Sequence, residues 1–163
     1  MREALDSSRP ARAAIAALLG FHAIRIGHLC ALQLTDVRDG RLHVGEQVIL
    51  LAQPARERLS AYLSYRSATW PASINPHLFI HARSWTSTRP TASAWIGSQL
   101  GMSAQHIRLD RILDEAQATS GDVRALCNLF GMSIANAVRY AAAIDRITGP
   151  AVITSRDGAA NSP

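Results

Sequence analysis

The sequence predicts a mainly α-helical fold carrying one small antiparallel β-hairpin. Three observations lead there. Helix signals recur along most of the 163 residues, as apolar stripes at helical spacing with prolines at first-turn positions. One stretch, around Gly45-Glu46, instead places short β-prone runs on either side of a turn dipeptide. The apolar share of 48% is enough for a single packed core in a chain of this length.

The elements follow in order. Residues 1–9 are polar and are expected to fray as a flexible N-terminus. Pro10 suits the first turn of a helix running to about Phe21. Gly27–Leu34 reads as a second helix, with Leu29, Leu32 and Leu34 apolar, ended by Thr35-Asp36. Arg41–Val44 and Gln47–Leu51 form the predicted hairpin. Pro54 opens a helix with Leu59, Tyr62 and Leu63 on its apolar stripe. Trp70–Pro76 reads as a loop, His77–His81 as a short extended piece and Ser93–Leu100 as a helix. Three more helices are predicted, over about 105–118, 122–130 and 133–146. Residues 10–147 thus form the expected domain. From Thr148 to Pro163 small and polar residues dominate, and a disordered tail is expected.

Charge and composition narrow the chemistry. The formal net charge is +5, which suits a polyanionic partner. All seventeen basic residues are Arg and none is Lys, so the N-terminus is the only amine available as a general acid. Cys30 and Cys127 lie far apart in apolar helical contexts and read as free thiols of a cytoplasmic protein. No Cys/His cluster has metal-ligand spacing, so neither metal nor cofactor is expected. The apolar run Ala13–Ile24 is too short to span a bilayer and reads as a buried helix, so no membrane partner is expected.

Two segments carry the functional signal. The first is Ala23-Ile24-Arg25-Ile26-Gly27-His28-Leu29, continuing through Leu32 and Leu34 to Asp36-Val37. The second is Leu129-Phe130-Gly131-Met132-Ser133-Ile134, continuing through Asn136 to Val138-Arg139-Tyr140. Between them lies Gln105-His106-Ile107-Arg108. Together these resemble the catalytic domain of tyrosine recombinases, the phage-integrase family. The first segment is similar to the family's first Arg box, G-[LM]-R-I-x-E-L-x-x-L-x-x-x-D-I. The last is similar to L-L-G-H-[ST]-x-I-x-x-T-x-x-Y. The likeness covers residues 12–146, in a degenerate form and without the N-terminal DNA-clamping domain usual in the family.

The resemblance implies a DNA-binding protein that cuts and rejoins strands through a phosphotyrosyl intermediate. Double-stranded DNA is the implied partner, with assembly of copies on it. The chemistry explains the residue types. A scissile phosphate passing through a pentavalent state spreads negative charge over its non-bridging oxygens. Two guanidiniums can grip those oxygens bidentately without losing their protons. A tyrosine hydroxyl then attacks, and the covalent link conserves the bond for rejoining. In the family, a His or Lys in H-x-x-R, a His in the G-H box and a Lys on a β-hairpin add hydrogen bonds and a proton for the leaving oxygen.

Carried over residue by residue, the implied catalytic set is Arg25, Arg108 and Tyr140. Arg25 has a structural alternative, capping a helix or pairing with Asp36. His28 stands where the family carries an acidic residue and reads as a supporting position. The spacing from Arg108 to Gly131 is one residue longer than the family pattern, so Arg111 competes with Arg108 for the second Arg. Both also fit a mixed-charge solvated helix face. Gln105 occupies the His/Lys position, with His106 one place away. Met132 replaces the G-H histidine and cannot donate to a phosphate. The hairpin between Asp39 and Leu51 is too short to carry a Lys-bearing tip, and there is no Lys to carry. Tyr140 alone would read as an amphipathic tyrosine with its ring in the core. Residues 123–143 also have helix–turn–helix spacing, which fits a non-catalytic DNA-binding regulator or adaptor. In either case His106, Arg111, Arg124, Asn136 and Arg139 are the candidate DNA contacts. A protein-interaction module without DNA is a third reading.

Overall fold

A computed structural model describes residues 2–148, with side chains described through Ile144. The first residues carry an element that no local pattern announced. Arg2–Leu5 form a short helix, α1, with Ala4 buried. Arg58 holds its end, donating from Nε to the Leu5 carbonyl at 2.8 Å and pairing with Asp6 at 3.3 Å. The polar composition hid this because the anchor lies 53 residues away.

Helix α2, Pro10–His22, is the centre of the molecule. Pro10 pre-sets its first turn, and Ala13 to Leu19 are buried on every side. It packs against α1 and against three helices that follow, α4 (Gln53–Thr69), α5 (Ser93–Leu100) and α6 (Ala104–Ala118). A helix surrounded in this way must be apolar all round, which is why its sequence resembles a membrane segment. No helix among the described residues is long and apolar enough to cross a membrane. Helix α2 ends at Ala23, whose left-handed backbone (φ 49°) turns its N–H back to the Leu19 carbonyl at 2.9 Å.

Helix α3, Ile26–Ala31, stops three residues before the predicted end. Leu32 turns extended and exchanges backbone contacts with the 77–81 segment instead. The Leu78 N–H donates to the Leu32 carbonyl at 2.7 Å, and Gln33 bridges His77. Tertiary pairing overrides helix propensity here. A 3₁₀ turn, Leu34–Asp36, leads into a three-stranded antiparallel sheet of β1 (Val37–Arg38), β2 (Arg41–Val44) and β3 (Gln47–Leu50). The β2–β3 pair is the predicted hairpin; β1 extends it. The β1–β2 turn is Asp39-Gly40, both left-handed (φ 52° and 70°), as a two-residue hairpin requires. Leu42 and Val44 face the core, while Val48 and Leu50 face out.

Helix α4 buries Ala55, Leu59, Tyr62 and Arg66 along one stripe. The Tyr62 hydroxyl donates to the Leu78 carbonyl at 3.1 Å and accepts the Ile80 N–H at 3.0 Å. Burial pushes this phenol up to about 12. Tyr62→Phe leaves both backbone groups unpaired in the core, and we expect a loss of roughly 1–3 kcal/mol in urea unfolding. A midpoint equal to wild type would show the hydroxyl to be dispensable.

The C-terminal part is built by α6, α7 (Val123–Phe130) and α8 (Ile134–Thr148). Ser103 caps α6, and Asp122 caps α7 by accepting the N–H groups of Arg124 and Ala125. These helices enclose a second, smaller core of Ile112, Ala116, Leu126, Phe130, Met132, Ala137 and Ile144, which Ala23 joins from the end of α2. The main core lies around α2, the sheet and α4. The expected disordered tail lies outside the described residues apart from Thr148, which ends α8.

Candidate active site

The end of α2 faces both cores, and three predicted residues meet beside it. Arg108 on α6 is buried, at 9% exposure. Its Nε donates to the Ala23 carbonyl at 2.7 Å, so the left-handed corner anchors the guanidinium. Arg25 follows two residues after that corner and is exposed at the N-cap of α3. Its Nη2 donates to the Gly131 carbonyl at 3.4 Å, at the left-handed end of α7. Tyr140 is half-buried on α8, its ring against the second core and its hydroxyl hydrogen-bonded to the Arg108 side chain.

The electrostatics of this cluster are unbalanced. Burial lowers the Arg108 pKa first, the charge of Arg25 lowers it further, and Tyr140 works in the opposite direction. Two guanidiniums therefore sit close enough to repel, and among the described residues neither has a carboxylate partner. Arg25 does not pair with Asp36, whose carboxylate accepts the Gln33 N–H at 2.7 Å. An arginine stays charged even when partly desolvated. Such a pair is stabilised by an anion between the two groups, and Arg25 now spends its donor on a carbonyl that an anion would outcompete.

Arg111 has a different setting. It pairs with Glu115 at 2.6 Å, donates from Nε to the Phe21 carbonyl at 3.3 Å, and lies over the Phe130 ring at 5.5 Å. Its Nε fastens α6 to α2, and its guanidinium rests on the α7 ring. Arg108, not Arg111, is the arginine beside Arg25 and Tyr140.

The other predicted contacts are spread more widely. His106 is exposed on the first turn of α6, and its ring makes no hydrogen bond or ion pair among the described residues. Asn136 and Arg139 are exposed and, with Tyr140, Leu109 and Leu113, line a groove of about 590 Å³ between α6 and α8. Arg124 is exposed on the first turn of α7 and lines no part of that groove. Met132 is buried among the residues of the second core. That position serves packing. Among the described residues no group of three or more His, Cys, Asp or Glu could hold a metal ion.

Gln47 was not visible as a site residue in the sequence. It opens β3, and its amide donates to the Asn128 carbonyl at 2.8 Å, tying the sheet to the end of α7. Two features favour glycine at Gly131. Its φ is 56°, and a Cβ there would collide with the Gln47 Oε1. Nothing local in Val44-Gly45-Glu46-Gln47 announces a contact made 81 residues away.

No family model matches the sequence, and no curated protein matches it. Among solved structures, the crystal structure of XerA recombinase superposes with a TM-score of 0.68 at 21% identity, covering 89% of this chain and 59% of that one. The chain therefore spans about three fifths of the length of that structure. The match places the chain on a mainly helical, recombinase-like scaffold with its small antiparallel sheet.

Proposed function

We propose that this protein binds double-stranded DNA as a tyrosine recombinase does, gripping a phosphate with Arg25 and Arg108 and presenting Tyr140 to it. What carries the reading is the pair of guanidiniums without a carboxylate, meeting a tyrosine hydroxyl. Arg25 and Tyr140 stand at the spacing of the family's motifs, Arg108 stands one residue out of the usual spacing to Gly131, and the scaffold is of the same kind. Cleavage and rejoining through a phosphotyrosyl link are weakened. Met132 lies in the core where a phosphate donor is needed, and the hairpin carries no Lys. The copies assemble on DNA in this reading.

The test is binding at graded salt. Duplex affinity should fall steeply as salt rises, because each phosphate neutralised by an Arg releases counterion, at a log–log slope of roughly −0.9 per contact. A flat response, or no shift of labelled duplex at low salt, would refute DNA binding.

One observation favours a second reading. Arg124, Asn136 and Arg139 are all exposed on the α7–α8 pair, with Gly131 at the turn between the helices. This fits a non-catalytic helix–turn–helix DNA-binding regulator. Under that reading DNA binding persists with no covalent product.

A further inference from the structure

The proposed reaction lacks a proton donor for the leaving oxygen, and the cleft beside Arg25 offers two candidates. The cleft's lining includes Arg25, His22, His28, Gln47, Leu129 and Gly131. Apart from Arg25, the only ionisable side chains in its lining are the two histidines. Gln47 is an amide with no acidic proton, and it is held by the end of α7.

His22 cannot serve. Its Nε2 accepts the Ala52 N–H at 3.2 Å, which requires the neutral ring. Burial and the nearby Arg111 lower its pKa to about 4, so it carries no spare proton near neutrality. His28 differs in every respect. It is exposed, its ring makes no hydrogen bond or ion pair among the described residues, and it lies three residues after Arg25. Arg25 is the N-cap of α3 and His28 its third residue, and both line this cleft. Imidazole is also the side chain that exchanges protons most readily at physiological pH.

We infer that His28 is the general acid of the residual strand cleavage, donating its imidazolium proton to the 5′ oxygen that leaves the phosphate held by Arg25 and Arg108. The inference rests on the reading proposed above. The Tyr140 oxygen forms its bond to phosphorus as the phosphorus–O5′ bond breaks. The leaving oxygen takes the His28 proton and becomes a 5′ hydroxyl. The phenol proton passes to water, and water restores the imidazolium, so no proton is gained or lost overall. Rejoining runs the same steps backwards: the imidazolium returns its proton to water, the neutral ring takes the proton of the attacking 5′ hydroxyl, and the departing Tyr140 oxygen is reprotonated from water.

A sulfur leaving group needs no acid, and the test turns on that difference. Duplexes with randomised arms around one 5′-bridging phosphorothiolate are offered to the wild-type chain, and covalent adducts are recovered on denaturing gels. The captured sequences are then remade with an ordinary phosphodiester. His28→Ala and His28→Asn, checked for wild-type melting, should slow adduct formation on the phosphodiester roughly 100-fold or more while leaving the phosphorothiolate rate unchanged. Equal slowing on both substrates would mean that His28 serves binding and overturns the acid role. No slowing on either would also overturn it. If the wild-type chain makes no adduct that Tyr140→Phe removes, even with the sulfur leaving group, then the cleavage reading itself fails, and this inference with it.

Discussion

Tyr140→Phe should abolish covalent capture of DNA while leaving duplex affinity at the wild-type level. The hydroxyl is the only part of the side chain removed. The ring keeps its place against the second core, and loss of one hydrogen bond to Arg108 costs about 1 kcal/mol. The wild-type adduct should itself form slowly. Missing acid–base help costs roughly two to four orders of magnitude in rate, and His28 restores only part of it. The measurement uses a nicked duplex from which the cleaved end diffuses away, so that adduct accumulates and can be counted against time. Rapid, abundant adduct in the wild type would contradict the weakened site. Adduct that survives Tyr140→Phe would identify another nucleophile. Unchanged binding with no adduct from either protein would favour the non-catalytic regulator.

The helices were legible where pattern and burial agree. Pro10 and Pro54 mark starts, and the stripe of α4 matches the face it buries. The sequence could not show features decided by distant partners. Strand β1 has two residues, too few for any alternation to register. Helix α3 ends early because Leu32 and Gln33 pair with the 77–78 backbone. In the site, motif spacing picked out Arg25 and Tyr140, but the choice between Arg108 and Arg111 was open. They stand three residues apart on one helix, and only tertiary structure shows that one meets Arg25 while the other is held by Glu115. Gln47 and the Ala23 carbonyl, which position the cluster, had no signal at all. One is a hairpin amide and the other a backbone oxygen.

A comparison of three arginines separates gripping a phosphate from holding the fold. Arg25→Gln should slow adduct formation roughly 100- to 1000-fold, the cost of losing one preorganised donor to transition-state charge. Its stability should hardly change, because the side chain is exposed, its one bond is long at 3.4 Å, and its removal relieves repulsion with Arg108. Arg108→Gln should lose a similar factor in rate and also destabilise the protein by roughly 1–3 kcal/mol. The Ala23 carbonyl, already committed to a left-handed corner, would lose its 2.7 Å charged donor. The relief of repulsion offsets part of that cost but cannot restore the missing partner. Arg111→Gln should show the reverse pattern. It breaks the pair with Glu115 and the contact over Phe130, so stability falls while the adduct rate, measured where the protein is still folded, stays near wild type. Urea midpoints and single-turnover adduct rates on the same nicked duplex give all six numbers. If Arg111→Gln lost the rate and Arg108→Gln kept it, the two arginines would have been assigned the wrong way round. If none of the three changed the rate, the pair of guanidiniums would have no part in the chemistry.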